Sequence, residues 1–517
     1  MSIKKKAFFC FGIVLVAVAG IIGCKLNSKK NNINKNTELT NWIRNNSNIT
    51  ALNMDFNDTP FVKKLNMATG INVKYIIQED SDVESRLELM LASSNMPDIV
   101  DWSWGMLYFG GAQKMIDNGY IIRLNELIEK NSPNFLKLLT NNPRLKESIS
   151  SYDGSCFNYP FVQLDKSLEN VYGLMVRKDW LDELGIGVPE TISEWETMLR
   201  LFKNEKNASA PLCIQTSCQG FMGAFGVIDD FYRDDYTIKY GRIEPGYKEY
   251  LTLMNKWYDE GLLTADYGNI NPQSIERLVC TNQAGAIAAY AGSGMRRITE
   301  IMVEKNSKFR LAAAPCPTIE KGKIPEFGMN NESTLRSGTA ITGQCKSPEL
   351  AAKYLDYGYS AEGHLLYNFG IEGESYTLKN GLPAYTGAIT DNRENLSFGQ
   401  ALAMYARSSY FGPFEQDKRY LSQYYELPEQ REATFVWNSG DEDRHTLPCL
   451  TYPPEENDEL DGIMASIKKY TDEMDLKFIL GAEPLDNFDK YVEDIKSMNI
   501  DRAIEIQDKA YKRYRQK

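Results

Sequence analysis

The residue types that most often carry out catalysis are scarce in this sequence. Only two of its 517 residues are histidines, His364 and His445. A Ser-His-Asp triad or a histidine-based metal centre therefore has little to build on. No G-x-S-x-G elbow, Walker A loop or G-x-G-x-x-G fingerprint after a strand occurs. These absences argue against most enzyme classes, and the sequence predicts no catalytic residue, cofactor or metal site.

Carboxylate chemistry keeps one enzyme class open. The chain contains 70 Asp and Glu residues, and glycoside hydrolases act through paired carboxylates without a histidine. Polysaccharide lyases, which can use Tyr or Arg, remain open for the same reason, and a surface adhesin is a further alternative. Turnover of an oligosaccharide would identify an enzyme, whereas reversible binding without turnover would separate a transport protein from an adhesin.

Nine cysteines are the remaining candidates for reactive chemistry. Because no two of them are spaced as C-x-x-C, neither a redox pair nor a zinc ribbon is indicated. Seven cysteines lie downstream of Cys24, and this odd number cannot all pair within the chain. Cys213 and Cys218 are close enough in sequence to form a disulfide, with buried free thiols as the alternative.

The N-terminal segment has the pattern of an export and anchoring signal. After three lysines, an uncharged apolar stretch runs to Gly23, and Ile21 to Cys24 has the order of a bacterial lipobox. This order predicts a signal peptide over 1–23 and a diacylated Cys24, whose two acyl chains hold the protein on the extracellular face of the membrane. Polar residues predict a flexible tether over 24–44. An uncleaved anchor helix with an incidental cysteine is the alternative.

Length and charge restrict the remaining possibilities. A chain of 517 residues is too long for one compact core, so two lobes are expected. The formal net charge of −12 argues against a nucleic-acid partner and suits a soluble monomer that handles a neutral ligand. The 30 Tyr, 22 Phe and 7 Trp residues either fill large cores or stack in part on a ligand.

Strand-like and helical segments alternate along the chain, which predicts an α/β protein with mainly parallel sheets. The predicted strands are short apolar or alternating runs at Ile49–Met54, Ile71–Ile77, Asp98–Asp101, Tyr172–Val176, Gly285–Ala289 and Leu311–Ala314. The predicted helices include Pro60–Thr69, Asp82–Ser94, Ser193–Phe202, Pro348–Tyr357 and a terminal pair over Asp489–Arg515. Ligands of open α/β sheets bind beyond the carboxyl ends of the strands, so residues that follow strands are the first candidates.

Several segments spread along the chain carry a resemblance to a known family. They include Phe61–Val73, Met96-Pro97-Asp98-Ile99-Val100, Asp153–Pro160, Tyr172–Trp195, Gly285–Ala288, Asn368–Tyr376 and Phe478–Gly481. In order and spacing they resemble the extracellular solute-binding proteins of carbohydrate ABC importers, the class that includes maltose-binding protein. The long lipoproteins of that class, found in Gram-positive bacteria, are the more similar branch.

This resemblance implies a two-lobe, periplasmic-binding-protein-like α/β fold with a hinge and an interlobe ligand cleft. Lobe one would comprise residues 45–160 and 310–365, and lobe two residues 161–309 and 366–517. Closure of such lobes buries the ligand and creates a shape that a transporter can recognise. The implied ligand is a carbohydrate, most naturally an oligosaccharide, and the implied partner is an ABC transporter permease.

Aromatic and acidic residues at strand ends are the strongest ligand candidates. Sugars present apolar C–H faces rimmed by hydroxyls, which rings and polar side chains can hold. Asp101, Trp102 and Trp104 follow a predicted strand, where the resemblance implies an aromatic residue and an acid facing the cleft. Packing of one tryptophan between helices is the alternative. Asp55 follows the first predicted strand, and its alternative role is a helix cap before Pro60.

A glycine-rich segment after the strand at Gly285 supplies further candidates, Tyr290, Ser293 and Arg296. Its small residues permit close approach of the backbone to a ligand. Arg296 could bind hydroxyls, or a carboxylate if the sugar is a uronic acid, with a surface ion pair as the alternative. The remaining candidates lie near the hinge crossing or in irregular, aromatic-rich segments: Asp165, Tyr172, Tyr376 and Tyr410.

Overall fold

A computed structural model describes residues 38–79, 83–93, 95–104, 111–329, 337–392, 394, 396–441 and 444–516. The strands in chain order are β1 (Glu38–Arg44), β2 (Asn72–Gln78), β3 (Ile99–Trp102), β4 (Tyr159–Val162), β5 (Tyr172–Arg177), β6 (Leu212–Cys213), β7 (Phe231–Asp234), β8 (Thr237–Tyr240), β9 (Ala286–Tyr290), β10 (Leu311–Ala313), β11 (Gly338–Ile341), β12 (Tyr376–Lys379), β13 (Leu382–Tyr385) and β14 (Phe414–Glu415).

Helices separate most of these strands, as the alternating pattern predicts. They are α1 (Ser47–Ala51), α2 (Pro60–Thr69), α3 (Val83–Leu91), α4 (Gly111–Asp117), α5 (Asn125–Asn131), α6 (Pro133–Asn141), α7 (Pro143–Ser148), α8 (Lys178–Leu184), α9 (Ile192–Glu205), α10 (Pro245–Asp259), α11 (Pro272–Cys280), α12 (Arg296–Lys305), α13 (Pro348–Asp356), α14 (Ala361–Phe369), α15 (Gly387–Thr390), α16 (Phe398–Tyr405), α17 (Lys418–Tyr424), α18 (Pro428–Trp437), α19 (Pro454–Ile479), α20 (Phe488–Ser497) and α21 (Ile500–Gln516). None of the helices in the described residues is long and apolar enough to cross a membrane.

Local signals explain where the predicted helices begin and end. In α2, the Thr59 side chain accepts a hydrogen bond from the Val62 N–H, and Pro60 occupies the first turn. The helix ends at Gly70, whose φ of 68° is the left-handed conformation that glycine adopts most easily. The predicted terminal helix pair is confirmed as α20 and α21.

Two mixed sheets form the centres of two lobes. The larger sheet has the order β14-β4-β11-β3-β1-β2, and β11 runs antiparallel to both of its neighbours while the other pairs are parallel. The smaller sheet has the order β10-β5-β9-β6, in which β5 is antiparallel to both neighbours. The expectation of mainly parallel pairing is therefore wrong for the smaller sheet.

Each sheet lies inside its own hydrophobic core. The core of the large lobe includes Phe61, Leu65 and Leu355, all without exposed surface. The core of the small lobe includes Trp195 and Trp257 beside β5, and helices α19 to α21 pack into it. The α/β, two-lobe architecture implied by the sequence is thus confirmed.

The chain passes between the lobes three times, and the crossings correct the predicted boundaries. They lie between β4 and β5, between β10 and β11, and between β14 and α17. The boundary predicted at residue 310 comes too early, because β10 pairs with β5 of the small sheet. The boundary predicted at 366 also comes too early, because β14 pairs with β4 of the large sheet and Ala403 lies in the large-lobe core.

The first strand is also misplaced by the sequence prediction. Residues predicted as the strand 49–54 begin instead in α1, where the Asn46 side chain caps the helix by accepting from the Asn48 N–H. The first strand is β1, within the predicted tether 24–44, and it pairs with β2 and β3. The predicted signal peptide, Cys24 and the start of the tether lie outside the described residues.

Candidate functional site

A cleft of about 380 Å³ opens between the two lobes, and residues from both lobes line it. This volume is in the range of small-molecule binding sites. The large lobe contributes Ser47, Asn48, Tyr367, Asn368, Gly399, Leu402, Ala406, Ser408, Ser409, Tyr410, Phe414 and Gln416. The small lobe and the adjoining hinge segments contribute Val171, Tyr290, Gly292, Ser293, Tyr420, Leu421, Tyr424 and Tyr425.

The end of β9 brings backbone and aromatic rings together at one wall of the cleft. β9 ends at Tyr290, and a turn of π-helix, Ala291–Met295, follows it. A Cβ atom on Gly292 would lie 2.5 Å from the Tyr424 ring, so only glycine lets α17 approach this turn so closely. The ring of Tyr172 packs against that of Tyr290, with 5.0 Å between centroids.

Tyrosines of α17 and its end form a packed aromatic surface. Tyr420 and Tyr424 stack with ring centroids 5.4 Å apart and an interplanar angle of 15°. Phe398 contacts Tyr424 from the large lobe at 5.3 Å. Burial raises the pKa of the Tyr424 and Tyr425 hydroxyls, so both stay neutral through the physiological range. Neutral phenols of this kind can donate hydrogen bonds to sugar hydroxyls and offer ring faces to C–H groups.

Hydrogen bonds between hinge segments fix the polar floor of the cleft. Asn368 donates to the carbonyls of His364 and Glu415, each at 2.9 Å, and accepts from the Asp417 N–H. Gln416 accepts from Gln163 at 2.7 Å, which ties two of the three crossings together. These side chains are therefore held in place before a ligand arrives.

Three of the residues predicted from the sequence lie on this cleft: Tyr290, Ser293 and Tyr410. Tyr290 is 54% exposed and Tyr410 is 55% exposed, so both rings have free surface for a ligand. Tyr410 is braced by an edge contact with Phe161, with 5.7 Å between the ring centroids. Tyr172 lies behind Tyr290 and supports it from the small sheet.

The predicted group after β3 is buried away from the cleft lining. Asp101 accepts from Arg407 at 3.0 Å and from Thr339 at 2.8 Å. Desolvation raises the pKa of Asp101, although Arg407 opposes the shift. Trp102 is only 8% exposed, and the Trp104 indole donates to the Val100 carbonyl.

The other four predicted residues have structural partners and are not among the residues that line the cleft. Asp55 accepts a hydrogen bond from the Asn57 N–H and so caps a short helical turn. A capping role is the alternative that the sequence leaves open for Asp55. Tyr376 is buried in the β12–β13 hairpin. Arg296 forms ion pairs with Glu300 and Glu426.

Asp165 has its partner across the hinge. Its carboxylate accepts from Lys418 at 2.7 Å, a hydrogen bond that lowers the pKa of Asp165 to about 2. It also caps the turn that starts at Lys166 through the Ser167 N–H. Asp165 therefore links the crossing after β4 to the crossing before α17.

Most of the aromatic lining was not predicted as binding residues. The missed aromatic residues are Tyr367, Phe414, Tyr420, Tyr424 and Tyr425. For four of them, the sequence signal is the density of aromatic residues between Tyr405 and Tyr425, in the same region that contains Tyr410; Tyr367 lies outside that region.

The cysteines in the part of the chain that the structure describes form no disulfide. Cys213 and Cys218 are both buried free thiols, and burial raises the pKa of each to about 12. The possible disulfide between them is therefore not formed. Among the described residues, no group of three His, Cys, Asp or Glu side chains is arranged to hold a metal ion.

Two curated proteins are similar to this chain over most of its length. LipO, a lipoprotein of Bacillus subtilis (strain 168), is 25% identical over 375 residues, which cover 68% of this chain and 70% of LipO. FusA, a fructooligosaccharide ABC transporter substrate-binding protein of Streptococcus pneumoniae serotype 4, is 21% identical over 497 residues, covering 89% of this chain and 88% of FusA.

Solved structures share the two-lobe fold. The alginate-binding protein AlgQ2 matches with a TM-score of 0.75 at 21% identity, covering 93% of this chain and 99% of that chain. FusA in complex with kestose matches with a TM-score of 0.74 at 18% identity, covering 92% of this chain and 99% of that chain. A family model described as bacterial extracellular solute-binding protein matches residues 56–364. Since this match spans more than half of the 517 residues, the chain belongs to the bacterial extracellular solute-binding proteins.

Proposed function

We propose that this chain is a lipid-anchored, extracellular substrate-binding protein that captures a sugar or oligosaccharide and delivers it to an ABC transporter permease. The observation that carries the proposal is the interlobe cleft, whose lining combines tyrosine rings with serine, asparagine and glutamine side chains. Ring faces cover the apolar faces of a sugar, and the hydroxyl and amide groups satisfy its hydroxyls. FusA binds fructooligosaccharides and AlgQ2 binds the polysaccharide alginate, so both support a saccharide as the broad class of ligand.

A cleft between two lobes also suits delivery to a membrane partner. A ligand that touches both lobes favours the closed arrangement, and a transporter can recognise that arrangement as the loaded form. Tyr410 of the large lobe and Tyr290 of the small lobe both present exposed ring surface to the cleft. A saccharide held between these rings would couple binding to lobe position.

The lining favours binding over hydrolysis. A glycoside hydrolase needs two carboxyl groups on either side of the scissile bond. Among the described residues that line the cleft there is no Asp or Glu. Of the acids next to lining residues in sequence, Asp417 is engaged by His364 and Arg419, and Glu426 pairs with Arg296.

The test of ligand capture is a thermal-shift screen followed by calorimetry on the full-length chain in mild detergent. A saccharide that binds only the folded protein must raise its melting temperature. We expect one saccharide class to do so, to bind reversibly and to be recovered unchanged. Release of reducing ends would identify an enzyme instead, and failure of every saccharide to bind would overturn the proposal.

Anchoring has a separate test at Cys24. The Ile21 to Cys24 sequence supports lipidation of Cys24 after removal of residues 1–23. We expect the Cys24→Ser variant to lose incorporation of labelled fatty acid and to accumulate as an unprocessed precursor. The Cys10→Ser variant, which changes a cysteine inside the signal segment, should be processed and labelled normally. Unchanged labelling of Cys24→Ser would contradict the anchor.

A further inference from the structure

The described lining of the cleft is aromatic and polar, and its side chains are uncharged. Among the described residues around the cavity, seven are aromatic and six of these are tyrosines, and none is Lys, Arg, His, Asp or Glu. Its polar groups are hydroxyls and amides, such as those of Ser293, Ser409 and Asn368. This neutral lining contrasts with the chain as a whole, in which 25% of the residues are charged.

Two of the described arginine side chains near the cleft are already engaged. Arg296, which follows the π-helical turn, is held by Glu300 at 2.7 Å and by Glu426 at 3.2 Å. The guanidinium of Arg44 lies over the rings of Trp102 and Phe411, at 5.3 and 5.6 Å from their centroids. A sugar carboxylate could bind Arg296 only by displacing Glu300 or Glu426.

Cations at the hinge are paired as well. Lys418 binds Asp165 at 2.7 Å, and Arg419 binds both carboxylate oxygens of Asp417. These ion pairs lie on the segment that joins the lobes, where they keep their charges away from the cavity. None of them adds a positive charge to the described lining.

An anionic sugar would therefore be penalised in this cleft. A carboxylate that leaves water needs a charged or strongly donating partner, without which its burial is costly. The formal charge of −12 adds a long-range repulsion for anions. Sugar hydroxyls meet no such penalty. Tyrosine, serine and amide side chains can form hydrogen bonds with them in place of the hydrogen bonds to water that are lost on binding.

We infer that the ligand is a neutral saccharide and that the cleft discriminates against uronates, such as oligogalacturonates. This inference rests on the proposed function, since it specifies the substrate class of the same cleft. Discrimination arises because the described lining residues include no Arg or Lys. A site selective for uronates places Arg or Lys against each carboxylate. The tyrosines supply affinity for rings of either kind, so charge is the element that separates the two classes.

The test compares neutral and acidic oligosaccharides of matched structure on the full-length chain in detergent. The panel holds neutral mono- to tetrasaccharides together with α-1,4-galactotriose and trigalacturonate, which differ in oxidation at C6. We expect the ligands found to be neutral and to bind at least about tenfold more tightly than their uronate counterparts, a difference of about 1.4 kcal/mol. Their affinity should be the same at low and high salt, since no charge is matched.

The outcomes separate the inference from the function on which it rests. A uronate that binds as tightly as its neutral counterpart, with an affinity that falls as salt rises, overturns the inference and leaves the proposed function standing. If no saccharide of either class binds, the proposed function fails and the inference fails with it.

A gain-of-function variant locates the discrimination in the cleft. Ser293 is exposed on the turn after β9 and lines the cavity, so Ser293→Lys adds a cation there at little cost in packing. We expect this variant to gain at least about tenfold in affinity for trigalacturonate. Met67→Lys, at a position that is 77% exposed on α2, makes the same change in net charge outside the cleft. An equal gain in both variants, or in neither, would contradict the assignment to the cleft.

Discussion

Single aromatic residues divide into two groups by what surrounds them. Tyr290 and Tyr410 keep about half of their surface exposed toward the cleft, whereas Trp102 and Trp104 are enclosed by their own lobe. The exposed rings can gain burial from a ligand, and the enclosed rings have already gained it from the fold. A truncation should therefore affect binding in the first group and stability in the second.

Tyr410→Ala tests the first group. Removing an anchor ring should weaken saccharide binding by about 2 kcal/mol, as for other aromatic hot spots. The melting temperature should change little, because the side chain is 55% exposed. Phe435→Ala, at a ring that is 78% exposed on α18 and is not part of the lining, is the matched control. Calorimetry on both variants decides, and equal affinities would show that Tyr410 is not an anchor.

Trp102→Ala tests the second group. Its ring packs edge-on against Trp42 in a buried cluster with Val100 and Phe157. Truncation of such a core ring should lower the free energy of unfolding of the large lobe by about 3–5 kcal/mol and leave saccharide affinity nearly unchanged. Denaturant unfolding and calorimetry check both parts. A stable variant that binds poorly would instead restore Trp102 as the ligand contact expected from the sequence.

At the scale of elements, the turn after β9 and helix α17 position each other. Gly292→Ala would place a Cβ atom 2.5 Å from the Tyr424 ring, and that ring is held by Tyr420 and Phe398. We expect the variant to fold but to bind saccharide at least about tenfold more weakly, because the tyrosine wall must shift.

The control for Gly292→Ala is a glycine with free space. A Cβ on Gly187, in the loop between α8 and α9, would meet no atom within 4 Å. Gly187→Ala should retain both affinity and melting temperature. If Gly292→Ala binds as well as Gly187→Ala, the close approach of the turn and α17 is not needed for the site.

Elements with strong local signals could be predicted from the sequence, and those that depend on distant partners could not. The helix Pro60–Thr69 matches α2, because Thr59 caps its start, Pro60 occupies its first turn and Gly70 follows its end. The sequence predicts a tether across β1, because the partners of its polar residues lie far away in sequence. The Thr40 hydroxyl and N–H both donate to Asp98, a partner directly before β3 that the sequence pattern does not reveal.

The same limit applies to the cleft. Tyr290 and Ser293 could be predicted because they follow a recognisable strand at its carboxyl end. Tyr424 reaches the same wall only because the chain crosses back between the lobes after β14. A search for residues at strand ends therefore misses Tyr424, which lies on a helix that follows a crossing between the lobes.

For the whole molecule, three crossings permit a hinge motion. Adjacent crossings are tied by Gln163 with Gln416 and by Asp165 with Lys418, so they should bend together. We expect a bound saccharide to reduce the radius of gyration in small-angle scattering, since it contacts both lobes. An unchanged profile at saturation would count against closure.

A free protein that is already closed would give the same unchanged profile, and a second variant separates the two cases. Lys114 on α4 pairs with Asp458 on α19, an ion pair between the lobes. Lys114→Glu places like charges there and should enlarge the ligand-free protein only if it is held closed. If the radius of gyration changes neither in this variant nor on ligand binding, the lobes do not move relative to each other.

The antiparallel strand β11 also sets an order in time. It lies between β3 and β4 in the large sheet, yet it is made long after both of them, when the whole small sheet from β5 to β10 has already been synthesised. β3 and β4 both pair with β11. Until residues 338–341 have been synthesised, each of these two strands has an unpaired edge, and the strands of the small sheet do not cover it. The strands of the small sheet can therefore pair first as the chain is synthesised, and in the meantime the unpaired edges of β3 and β4 are prone to aggregation.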